Sequence, residues 1–404
     1  MPLFGPPDVA KLQARRDIAG LINALGYGKD PSVRRSAADI LGQMGGPAIG
    51  SLVIALRHQD ANVRLGAATA LGEIGSAQAL DALEVALTDH NVAVCVATVV
   101  ALGKIGDPTS VASLLFVAEG LAEAQVRQAV ADALGRMGAS ALEPLVSTLQ
   151  KGAPRMREAA VRALGQAGAS GAVESLIAAL RDPDEQVRRF AARSLGEIGD
   201  AGAVDRLVSA LEEDESLYVA EAAAVALGKI GSSSIKGLAA LLRNPRARDS
   251  VRRSAAEALG GIRDPAAVQP LIGALDDRDQ DVRLAAIDGL GVLGDMRALK
   301  PLLAALRDRN WADTRKAAAS AIGRIGSAGA IRPLVAALSD EKWAVRKAAA
   351  IGLVAIYRSG KVGSEDRALL LEHRSAIVEA HVDGWHGSFG NFHTDTGIGV
   401  NFPV

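Results

Sequence analysis

The sequence predicts an all-α solenoid: about eleven antiparallel helix pairs stacked one on the next, closed by a short irregular C-terminal tail. Three observations carry that prediction. A Leu-Gly pair returns along the chain, placing glycines at Gly42, Gly72, Gly103, Gly135, Gly165, Gly196, Gly228, Gly260 and Gly291, with an Ile-Gly equivalent at Gly323. The steps are 30 to 32 residues long, a period that marks stacked repeats rather than one globular core. Finally, the chain is 49% hydrophobic but only 3% aromatic, a balance that suits many thin helix contacts better than one thick core.

Each unit reads as two helices. The first carries leucines four apart, as in Leu83 and Leu87, Leu176 and Leu180, Leu271 and Leu275, and Leu334 and Leu338. The second carries apolar residues at offsets 0, 4, 8 and 11 from a leading valine, as in Val63, Ala67, Leu71 and Ile74. Both spacings describe one apolar helical stripe. Three residues before the valine stands an N-cap candidate in Asp30, Asp60, Asn91, Asp184 and Asp279. Alanines at offsets 4 and 5 and glycine at offset 9 remove bulk, so that neighbouring second helices approach closely. A later glycine, such as Gly75, suits a left-handed C-cap. One helix pair cannot bury its stripe alone, so each unit depends on its neighbours. An eleventh unit, residues 345–356, keeps Leu353 but has Val354 at the glycine position.

The recurring phrase D-x-x-V-R-x-x-A-A-x-x-L-G-x-I-G, nearly complete at residues 60–75 and 184–199, resembles the HEAT repeat, in particular the short, phycobilisome-lyase-like kind. The resemblance covers residues 17–356 and implies a right-handed superhelix. It also implies prolines in first helices, and Pro144, Pro270, Pro301 and Pro333 match. The expected organisation is an N-terminal leader and cap at 1–16, the repeat array at 17–356, a capping helix within 357–380 and a tail at 381–404.

Formal charge is −1, from 45 basic and 46 acidic side chains, so no overall field favours nucleic acid or an anionic membrane. The one cysteine, Cys95, excludes an intrachain disulfide framework and fits a reducing compartment. The N-terminus shows neither the basic nor the apolar region of a signal peptide, and a cytoplasmic location is expected. The longest apolar run, residues 92–102, is about half the length a bilayer requires and reads as a buried helix.

The residue after the leading position, which is valine except at Met156 and Thr314, is arginine in nine units: Arg34, Arg64, Arg127, Arg157, Arg188, Arg252, Arg283, Arg315 and Arg346. The resemblance implies a structural ladder, each guanidinium bridging to an acid or a helix-end carbonyl. The competing reading is a polyanion track. Cys95 and Ala220 interrupt the row. In HEAT-like arrays the second helix usually lines the concave face, which makes its variable offsets the candidate partner surface. There Arg136, Arg162, Arg189 and Arg193 gather in three consecutive units, and Phe190 replaces the small residue found elsewhere at offset 3. Such a patch suits an acidic peptide; the alternative is neutralisation by Glu158, Glu185 and Glu197. Trp311 and Trp343, in inter-helix turns, are expected to be buried against the C-terminal segment.

Residues 365–380 read as one closing helix behind an N-cap at Ser364, with Leu369, Leu370, Ile377 and Val378 covered. The last 24 residues hold four of the twelve aromatics (Trp385, Phe389, Phe392, Phe402), three of the six histidines and five glycines. A recognition tail docking on the array or a partner is one reading. A divalent-metal site from His381, Asp383, His386, His393 and Asp395 is another, although its spacing matches no known motif. The HEAT-like deoxyhypusine hydroxylases build a di-iron site from His-Glu dipeptides, and none occurs here. A bilin-lyase accessory role stays open. No nucleophile triad, phosphate loop or dinucleotide fingerprint is present. The expectation is a noncatalytic scaffold for a protein or peptide, with no cofactor.

Overall fold

The computed structural model describes residues 6–120, 123–360 and 362–382, and every regular element among them is helical. The chain divides into two compact units, residues 1–206 and 207–404, each built by stacking the same helix pair on its copies.

In the first unit the pair is clearest at Gly46–Ala55 and Ala61–Ile74. Asp60 caps the second helix by accepting from the Asn62 amide at 2.8 Å, and Gly75 ends it at φ 68° in the left-handed region. A side chain there would strain the backbone, so glycine is what lets the chain reverse into the next 3₁₀ turn. The pattern returns at Val92–Ile105, capped by Asn91, and at Glu185–Ile198, capped by Asp184. In the second unit it returns at Gln280–Leu293, between Asp279 and Gly294. Pro144, Pro270, Pro301 and Pro333 all occupy the first turn of a first helix, where a missing amide hydrogen costs least.

The offset-9 glycine sets how closely second helices stack. A Cβ on Gly72 would lie 2.7 Å from the Ala101 Cα in the next repeat, and one on Gly260 would lie 2.5 Å from the Gly289 Cα. Backbone touches backbone at these points. The stripes behind them are buried, as Val63, Ala67 and Leu71 illustrate. Each repeat thus contributes a thin layer of core, which explains how so few aromatics suffice.

One stretch, Leu217–Arg243, is apolar and long enough in total to cross a membrane. Gly231, at φ 84°, divides it into helices of 14 and 9 residues, each shorter than the ~20 residues a span requires.

The closing segment differs from the sequence expectation. It is two helices, Ser364–Glu372 and Arg374–Val382, rather than one. His373 stands at the break, its Nδ1 3.0 Å from the Leu369 carbonyl oxygen. The interruption resets the helical phase. Leu370 and Ile377 are buried as expected, Leu369 is half-buried, and Val378 is exposed. Ser364 is the first helical residue, with Gly363 at the cap position.

Candidate recognition surface on the second helices

The arginine after the leading valine starts the second helix beside the turn it has just left. Arg64, Arg157, Arg252 and Arg315 make the same clamp. Arg64 donates from Nε to Asp89 at 2.6 Å and from Nη2 to the other carboxylate oxygen at 2.9 Å, while Nη1 reaches the His58 and Gln59 carbonyls. Arg157 binds Asp182, Arg252 binds Asp277 and Arg315 binds Asp340 in the same two-pronged manner. The acid always lies 25 residues downstream, in the inter-helix turn of the following repeat. That aspartate also accepts from the amide two residues on, as Asp277 does from Asp279 at 2.8 Å. One carboxylate therefore joins two repeats and shapes a turn.

The electrostatics follow the geometry. Burial pushes the Asp89, Asp277 and Asp340 carboxyls up, but bonds from the arginine and from the turn amide outweigh it, and each ends below the ordinary carboxylate range. Their arginines are held further toward the charged form, chiefly by the same bonds.

Four other members of the row reach backbone carbonyls. Arg34 donates to Tyr27, Arg188 to Asp182 and Pro183, Arg283 to Asp277 and Arg278, and Arg346 to Asp340 and Glu341. Arg127 sits at the equivalent position of its helix, Ala124–Met137. Where arginine is missing, the Cys95 thiol donates to the Asp89 carbonyl at 2.9 Å and burial raises its pKa, while Ala220 is simply buried. The repeat phrase marks the arginines but not their aspartates. The constant interval of 25 residues was the available signal.

On the open side of the same helices, Phe190 lies between two of the candidate arginines. The Arg162 guanidinium carbon lies 4.7 Å from the centre of the Phe190 ring and that of Arg189 lies 5.8 Å away, so the half-buried ring is flanked by two cations. Arg162 also reaches Glu158 at 3.3 Å and Gln128 one repeat earlier. Arg193 is exposed and pairs with Glu197 at 2.9 Å; Arg136 is exposed and donates to the Asp132 carbonyl. Gln128 and Gln166 both donate to Asp132, joining two repeats across the surface. Two of the three expected glutamates therefore face these arginines. Glu185 instead lies 3.5 Å from the Gln186 amide. The solvent-facing Arg193–Glu197 pair contributes only about 0.3–0.5 kcal/mol, so an incoming carboxylate competes there on nearly equal terms.

Trp311 and Trp343 are 47% and 51% exposed, under Arg283 and Lys347 respectively, rather than buried as the sequence suggested. They flank helix starts, where the chain enters the second helix at the solvent edge. The tail residues Asp383, Trp385, His386, Phe389, Phe392, His393, Asp395 and Phe402 lie outside the described residues, as does the side chain of His381. Among the described residues no group of three or more His, Cys, Asp or Glu is placed to hold a metal ion.

Solved structures share this architecture. The karyopherin Kap121p bound to the extreme C-terminus of the protein phosphatase Cdc14p aligns with a TM-score of 0.60 at 14% identity, over 93% of this chain and 48% of that one. Yeast importin-β (Kap95p) aligns at 0.56 and 14%, over 92% and 58%. A Kap95p structure concerned with the switch loops of RanGDP aligns at 0.59 and 15%, over 90% and 58%. The chain spans about half the length of these proteins, and at such identities the likeness is one of fold. Comparison with curated proteins finds no match. The HEAT-repeat family, however, matches residues 49–120, 116–183, 173–249, 235–323 and 299–376, most of the chain in overlapping windows. With the helix pairs, the period and the inter-repeat clamps already in view, that match settles the family: the chain belongs to the HEAT repeats.

Proposed function

We propose that this protein is a noncatalytic scaffold or adaptor that holds an acidic protein segment on the open face of its second helices. The observation that carries the reading is Phe190, a large ring at a position otherwise reserved for small residues, flanked by Arg162 and Arg189 on a solvent-facing surface. An aromatic between cations supplies apolar contact area and two charge-assisted donors together, which suits a carboxylate-rich segment carrying an apolar residue. Arg136 and Arg193 extend the patch on either side. The solved Kap121p and its bound phosphatase C-terminus support the idea that a helix-pair stack of this kind presents its surface to a peptide. The 30–32-residue period and the repeat phrase support placing these units with the short, phycobilisome-lyase-like kind.

The test uses a fluorescent peptide of alternating Glu and Phe, followed by anisotropy against the full chain. Binding is expected to weaken with salt and to fall about tenfold or more, roughly 1.4 kcal/mol, in an Arg162→Glu, Arg189→Glu, Arg193→Glu variant of unchanged helicity. Equal affinity for wild type and variant would discard the patch.

A further inference from the structure

The first helices of the first unit carry a second surface that the arginine patch does not use. Ile54, Val85 and Phe116 are 75%, 66% and 65% exposed, the three most exposed large apolar side chains among the described residues. They are spaced 31 residues apart twice over, so they occupy the same register on three consecutive first helices, two residues past the buried Leu52, Leu83 and Leu114. The repeats on either side put exposed Asn23 and Ser147 at that register. Chance exposure of single apolar residues is ordinary; an aligned row confined to three adjacent repeats is not.

A second row runs beside the first. Three residues further on in each repeat stand Arg57, Thr88 and Glu119. Arg57 is exposed and makes no ion pair among the described residues. Glu119 is half-buried, and its Oε2 accepts no hydrogen bond. Its neighbour Arg157 is committed to Asp182 and to the Gly152 carbonyl, and Arg155 donates only to the Glu119 backbone oxygen. The apolar strip thus runs from an exposed cation, Arg57, at its Ile54 end to a half-buried carboxylate, Glu119, at its Phe116 end.

From this pairing we infer that the first-helix row Ile54, Val85 and Phe116 docks an amphipathic helix of a partner protein, whose acidic end lies over Arg57 and whose basic end lies over Glu119. The spacing supports a helix. Stacked helices stand about 8–10 Å apart, and residues seven apart on a partner helix stand about 10.5 Å apart on one face. Residues two or four apart on a strand, at about 7 and 13 Å, miss that interval. A partner helix with glutamates in its first turn and lysines in its last also matches its own dipole.

The experiment uses labelled helical peptides with leucines seven residues apart on an Ala/Gln background, titrated against the full chain. One peptide carries glutamates at its N-terminal end and lysines at its C-terminal end; a second places both pairs at its middle; a third spaces the leucines five apart. The first is expected to bind about tenfold tighter than either control, and an Ile54→Ser, Val85→Ser, Phe116→Ser variant is expected to lose that binding. Because the triple variant could unfold, an Arg57→Glu, Glu119→Lys exchange is measured beside it. It should keep affinity for the leucine face yet select a peptide with lysines over position 57, read by crosslinking from a cysteine placed at one peptide end. Equal binding of all peptides, or binding that survives the triple variant, overturns the inference. So does a wild-type dimer in light scattering that the triple variant dissolves, since the row would then belong to a second copy.

Discussion

Arg252 is 2% exposed and gives hydrogen bonds to Asp277, Asp249 and the Ala247 carbonyl, while Arg253, the next residue, is 40% exposed and has a buried Nε with no hydrogen-bond partner. Glu257, one turn on, stands 3.7 Å from that Nε, beyond hydrogen-bond reach. The two share charge, size and helix, and a rotation of about 100° separates the clamp that joins repeats from the side open to solvent. Arg188, which donates to the Asp182 and Pro183 carbonyls, and the exposed Arg189 beside Phe190 also point different ways. Composition and net charge cannot distinguish such neighbours; their offset from the leading valine does.

The sharpest way to break this comparison is to truncate both. Arg252→Ala leaves the Asp277 carboxylate half-enclosed without its cation, and a loss of about 3–5 kcal/mol is expected in the second unit. Arg253→Ala removes an exposed side chain and should stay within about 0.5 kcal/mol. Hydrogen exchange on Asp249–Ile262 and Gln280–Leu293 reads the loss locally, which matters because repeat arrays do not always unfold in one step. Similar losses at both sites would mean that the clamp does not join the repeats.

Acid attacks the same clamps without mutation. Asp89, Asp277 and Asp340 have folded pKa values below the ordinary range, so their contribution is complete above the unfolded value of about 3.9 and is lost as pH falls through the folded value. Unfolding by urea should therefore show a stability that falls on acidification through and below about pH 4. In Arg252→Ala the Asp277 carboxyl loses its principal stabilising bond, and the acid limb should become shallower. An unaltered limb would assign the acid sensitivity to other carboxylates.

How much of this was legible beforehand depends on whether a feature is local. The N-caps at Asp60, Asn91 and Asp279 and the C-cap at Gly75 answer to residues within one turn, and spacing alone locates them. The clamp acids do not. Asp276, Asp277, Asp279 and Asp281 crowd one turn, and only the path of the chain decides that Asp277 faces Arg252 while Asp279 caps the helix. The break at His373 and the exposure of Trp311 and Trp343 escaped for the same reason, since periodicity reports a helix face but not what lies against it. At the patch, sequence located Phe190 and its arginines; the linking roles of Gln128, Gln166 and Asp132 needed three helices in place.

A narrower contrast than that between the two arginines comes from the paired glycines at the end of the Arg252 helix, which face the same two environments. Gly260 lies on the stacking side, and an alanine there would bring its Cβ to 2.5 Å from the Gly289 Cα, forcing two backbones apart at a cost of about 1–3 kcal/mol. Gly261 lies on the open side with nothing within 4 Å of the added atom. Gly261→Ala should be neutral or stabilising by up to about 1 kcal/mol, because alanine restricts the unfolded chain and favours the helix. Thermal shifts of opposite sign from two identical substitutions in adjacent positions would show that offset from the valine governs stacking. Two shifts of the same sign would mean that neighbouring helices tolerate a methyl group between them, and that glycine at offset 9 does not set their separation.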